Sequence, residues 1–127
     1  MNKVNNVKEW IKQAEYDFQT AAAMFKSGRY IHCVFMCHLA VEKMLKALYI
    51  QHFNKLAPKV HNLVYLVEVQ QLELSEEPRT FIDSLNKVSI PTRYPGQLDQ
   101  LLRVYPKQKT KETLKCLKAK SIKSSNS

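Results

Sequence analysis

The stretch that decides the fold is Tyr30–Ile50, YIHCVFMCHLAVEKMLKALYI. It contains no proline or glycine and predicts a long helix. At about 100° per residue, Val34, Phe35, Val41, Leu45, Leu48 and Tyr49 share one broad apolar face. His38 and Glu42 fall inside that face, one turn apart, and Lys46 lies at its edge. Charge on a buried face is costly unless it is paired or hydrogen-bonded. The helix therefore encloses a polar network or presents a site. Its back, with Met36, Leu39, Ala40 and Ala47, carries Lys43 as the single charge. A helix apolar nearly all round is buried on two sides. A central place in a bundle satisfies that, and so does a subunit interface.

Outward from this helix, the pattern stays helical. Val7, Trp10, Ile11, Ala14, Phe18, Ala21, Ala22 and Phe25 form one stripe of a first helix, from about Val4 to Ser27. Gly28 is suited to close it as a left-handed residue, making an antiparallel hairpin with the helix from Tyr30 to Phe53. Asp17, beside the first stripe, is expected to pair with a basic residue of the second helix. A loop containing Pro58 leads to a third helix from about His61 to Gln71. A fourth begins near Ser75, a good N-cap followed by Glu76 and Glu77. Residues Ile90 to Gly96 form a loop held by two prolines, and a short helix is expected from Gln97 to Val104. A lysine-rich helix is expected from Thr110 to Lys120, with the last residues frayed. The expected architecture is all-α: an up-and-down bundle of four to five helices over residues 1–106, followed by a lysine-rich tail over 107–127.

Composition agrees. Two glycines in 127 residues argue against a turn-rich sheet protein. No apolar run is long enough to span a bilayer, and the N-terminus lacks the apolar core of a signal peptide, so neither a membrane partner nor export is expected. Cys33, Cys37 and Cys116 suggest a reducing compartment, hence the cytoplasm. Cys33 and Cys37, one turn apart, read as small core residues. Without a second cysteine pair no metal site is expected. The net charge of +9 is uneven: Lys107 to Lys123 holds seven lysines against one glutamate, a net of +6. Such a segment could meet nucleic-acid phosphates, but no aromatic after Tyr105 interleaves with it, and a solvated helix face is the favoured reading.

The candidate ligand-binding residues are Arg93, Tyr94, Lys46, Glu42 and His38. Arg93-Tyr94-Pro95 lies in the proline-held loop, where an arginine could grip a phosphate through two parallel hydrogen bonds and a tyrosine could stack or donate. His38, Glu42 and Lys46 form an i, i+4, i+8 ladder. A histidine and a carboxylate one turn apart can exchange protons or bind a polar group. The plainer reading is an i,i+4 Glu42–Lys46 pair, with Glu42 bonded to a neighbouring helix. His61, just ahead of the third helix, could approach a ligand or simply cap and pack. No glycine-rich phosphate loop or common catalytic motif is present, so no catalytic residue and no cofactor are assigned.

The ordered set of these pieces resembles the HEPN domain family (higher eukaryotes and prokaryotes nucleotide-binding) over about Val7 to Gly96. The pieces are Ala14-x-x-Asp17, Gly28-Arg29-Tyr30, the core from Cys37 to Leu48, His61-Asn62-Leu63 and Arg93-Tyr94-Pro95. The resemblance implies a helical bundle that forms a homodimer, and a frequent partner, a minimal nucleotidyltransferase. Many members are metal-independent ribonucleases of toxin–antitoxin systems, with an arginine followed after four to six residues by histidine. Here no histidine follows Arg93, and His32, His38, His52 and His61 all precede it. The chain is therefore more similar to the nucleotidyltransferase-associated branch. The expected function is a non-catalytic subunit that binds nucleotide or substrate beside the transferase, with RNA as a further possible partner. The alternatives are a ribonuclease toxin with an atypical site and a protein-interaction scaffold.

Overall fold

In the computed structural model, residues 6–88 and 106–126 are described, and all regular structure among them is helical. The elements are α1 (Asn6–Lys26), α2 (Tyr30–Phe53), α3 (Leu63–Val69), α4 (Glu76–Val88) and α5 (Pro106–Asn126). The expected short helix from Gln97 to Val104 lies outside the described residues, as do Arg93 and Tyr94.

α1 stops where Gly28 allows it to stop. Gly28 has φ +81°, its N–H donates to the Phe25 carbonyl, and the Arg29 N–H donates to the Met24 carbonyl. This paired closure satisfies two carbonyls of the last turn and needs a left-handed residue at that position. α2 then returns antiparallel to α1. Its Lys43 pairs with Asp17 at 2.7 Å, the interhelical pairing expected for Asp17. The far end of α2 closes on Asn54 in the left-handed conformation, whose N–H donates to Ile50.

α2 is the central element. It packs against α1, α3, α4 and α5, and Val34, Val41, Met44, Leu45, Ala47, Leu48 and Ile50 are all buried. Each large aliphatic side chain so buried contributes about 1.5–3 kcal/mol. Burial on both sides of α2 is thus met within one chain, with α5 supplying much of the second side. Phe35 departs from the expected inner face: it is 39% exposed, as is its neighbour Ile31 at 45%. The apolar pattern of α2 runs nearly all round, so the pattern alone does not mark which arc the other helices leave open.

α3 is shorter than expected. Asn62 caps it by accepting from the Tyr65 N–H at 3.0 Å, and Asn86 of α4 accepts from the Leu63 N–H at 2.7 Å. Two first-turn donors are satisfied in this way, and His61 is left outside the helix. α4 begins one residue after Ser75, as its capping pattern predicts. The lysine-rich segment is longer than expected and is no appended tail. Thr110, Thr113, Leu114 and Leu117 are buried, and both leucines belong to the main core. Their i, i+3, i+4, i+7 spacing sets one face of α5 on the bundle and leaves the lysines outside.

Candidate functional site

The site is built around one carboxylate. Glu42, 4% exposed in the middle of α2, accepts a hydrogen bond from Lys46 Nζ at 3.0 Å. Both of its oxygens lie 3.1 Å from His61 Nδ1. The His38 Nδ1 stands 3.6 Å from Glu42 Oε1, too long for a good hydrogen bond. Three of the five expected site residues, His38, Glu42 and Lys46, are therefore brought together. The plain i,i+4 pair is present, and the cross-element partner of Glu42 is His61.

The helix places its three members by spacing alone, since i and i+4 lie one above the other. His61 arrives by chain path. The segment after Asn54 folds back along α2, Val60 packs against the core, and the Asn62 cap fixes where α3 starts. His61 stands outside the five site residues expected from the sequence, where it belongs to the motif His61-Asn62-Leu63. A histidine directly before an asparagine cap was the available signal. Trp10 of α1 is a second addition: Lys46 Nζ lies 5.9 Å from its ring centroid. A cation over an indole face at that distance gains favourable electrostatics.

Electrostatics divide the two histidines. His38 is buried, and its pKa is lowered below the ordinary histidine value. Burial is the main cause, opposed by the Glu42 charge and reinforced by His61 and Lys46. Its Nε2 is buried without a hydrogen-bond partner. His38 is thus a neutral ring held in the protein interior. His61 has the opposite setting, with a side chain 82% exposed. An ionised carboxylate only accepts, so Nδ1 of His61 must carry the proton in this contact. In the neutral ring that leaves Nε2 as an oriented acceptor. The arrangement can receive a proton or a hydrogen bond from a molecule outside while Glu42 holds the ring in place.

Cys33 and Cys37 take no part. Both are fully buried, and the Cys37 thiol is pushed up by its hydrogen bond to Cys33 and by burial. A thiol so placed is a core residue and a poor nucleophile. Among the described residues no group of three metal-ligating side chains is found.

An all-α bundle, with five helices among the described residues and a polar knot on the central one, defines the class of protein. The family model of the HEPN domain matches residues 7–121, and the chain belongs to the HEPN domain family. The match runs to within the last turns of α5, in agreement with the packing of that helix. The fold is also similar to the crystal structure of TT1696 from Thermus thermophilus. That similarity has a TM-score of 0.65 and 22% identity, over 99% of this chain and 98% of that one. No curated protein matches the chain. Among the described residues no helix is long and apolar enough to cross a membrane.

Proposed function

We propose that this chain is a non-catalytic HEPN subunit that binds a nucleotide, or the substrate of a minimal nucleotidyltransferase, beside that enzyme. The observation that carries the reading is the Glu42–His61 contact. A buried, charge-compensated carboxylate orients an exposed imidazole at the junction of α2 and α3. A carboxylate placed this deep is hard to account for by stability alone, whereas it suits the positioning of a surface donor or acceptor. Arg93 and Tyr94 supply the phosphate grip and the stacking ring in this reading, and Lys46 and His38 belong to the polar cluster around Glu42. The exposed Ile31 and Phe35 on α2 suit the contact with a second copy.

Calorimetric titration with ATP, alone and with a nucleotidyltransferase, tests the reading. Arg93→Ala and His61→Gln should each lower affinity at least tenfold without changing the mass of the assembly in light scattering. Unchanged affinity in both variants would remove the assignment. The same contact also favours the ribonuclease alternative, because a carboxylate-oriented imidazole can act as a general base. That alternative requires RNA cleavage in EDTA that disappears in His61→Gln.

A further inference from the structure

We infer that the joined outer face of α1 and α5 is a second binding surface, distinct from the Glu42 site, that takes the phosphate backbone of a nucleic-acid duplex. The two helices meet at Lys118 of α5 and Glu15 of α1, both nearly half exposed. On α1, Lys8, Lys12 and Lys26 stand 7 and 3 residues before and 11 residues after Glu15, so they share its stripe, and all three are exposed. On α5, Lys111 and Lys115 stand 7 and 3 residues before Lys118 and are exposed as well. Six lysines thus face solvent along two adjoining stripes with one carboxylate, Glu15, among them. Glu9 and Glu112 lie on the flanks, and Glu112 accepts from the Gln108 side chain.

Several features favour a polyanion over a protein. Protein interfaces are depleted in lysine and have an apolar centre. This face has charge along its length, and the exposed large apolar side chains belong elsewhere, mainly on α2 and the segment after it. Among the described residues it also lacks the apolar wedge that would hold a helix in a lipid surface. Among the described residues of this face Tyr16, exposed at the margin, is one ring, too few for a stacking track along a single strand. At about 1.5 Å rise per residue, the α1 stripe extends about 27 Å. That length passes many phosphates of a duplex, which carries a charge every ~1.7 Å of axis. The α5 lysines alone gave no such face. The α1 lysines, brought alongside by the packing of Leu114 and Leu117, complete it.

The test uses the full chain and a fluorescein-labelled 24-base-pair DNA duplex, followed by anisotropy from 50 to 300 mM KCl. Four or more phosphates neutralised should give a log–log salt slope of about −3.6 or steeper. The pair Lys111→Glu/Lys115→Glu should lose at least tenfold in affinity at 100 mM KCl and flatten the slope. Lys8→Glu/Lys12→Glu, on the other helix, should do the same and serves if the first pair fails to fold by circular dichroism. Lys55→Glu/Lys87→Glu, of equal charge change elsewhere on the surface, should stay within threefold. The proposal is overturned by an equal loss in that control, by no binding at 50 mM KCl, or by tighter binding to phosphatidylserine vesicles than to duplex.

Discussion

Replacing Glu42 by glutamine would test whether the core is organised around its charge. The substitution keeps shape and leaves Lys46 Nζ, its side chain 8% exposed, without a counter-ion. Breaking a buried pair by removing one partner costs about 3–5 kcal/mol. Trp10 stands beside Nζ before and after the change, so its contact with the lysine cancels from the difference. The expected loss is about 3–5 kcal/mol, a large share of the stability of a small domain. Urea unfolding at pH 7 reads it as a midpoint lower by roughly 1.5–3 M, for m near 1.5–2 kcal/mol/M. Glu42→Gln/Lys46→Met should regain most of the loss, since an apolar replacement of both partners removes the stranded charge. A single-variant loss under 1 kcal/mol, or a double variant no better than the single, would refute the view of Glu42 as compensated internal charge.

Three further outcomes follow from the same geometry. His38 has a folded-state pKa lowered below its unfolded value near 6.5, so the unfolded chain binds the extra proton first. Its contribution to stability is present above about pH 6.5 and is lost as pH falls towards the folded value, with a slope approaching 1.4 kcal/mol per pH unit. In His38→Leu, denaturation curves from pH 7.5 to 4.5 should lose that part of the acid sensitivity; parallel curves would place His38 outside the buried set. Gly28→Ala should cost about 1 kcal/mol in thermal melts, from the positive φ alone, because no atom lies within 4 Å of the added Cβ. Leu117→Ala should cost about 2–5 kcal/mol as a core truncation. A loss under 0.5 kcal/mol would return α5 to the status of a tail.

Much of the fold was legible because local rules act over one or two turns. The bounds of α2, the closure at Gly28, the start of α4 and the Asp17 pairing with α2 all follow from spacing and capping. Less legible was anything decided by which elements meet. Val34 and Phe35 fall within one broad apolar face by sequence, yet Phe35 is 39% exposed and Val34 1%. The difference comes from where the other helices cover α2, which no periodicity of α2 encodes. The Lys107 to Lys123 segment reads as polar because its lysines outnumber Thr110, Thr113, Leu114 and Leu117, the four buried among its described residues, although those four have helical spacing. At the site, the ladder on α2 was readable as i, i+4, i+8. His61 was not, because it reaches Glu42 across 19 residues and through a turn.

The position of Glu42 carries the functional argument further than its charge does. An apolar pair in place of Glu42 and Lys46 would serve the core at least as well, since desolvating two ions offsets most of their attraction. A structural explanation must then find something that only the ions supply. Lys46 receives little from the pair beyond neutralisation, and His38 remains unpartnered at Nε2 despite its proximity. The one group that gains a defined orientation is His61, whose ring would otherwise turn freely on an exposed loop. The carboxylate therefore joins the most buried helix to the most exposed histidine of the cluster. Rigidity passes outward along that link, and the exposed ring is where a ligand would feel it.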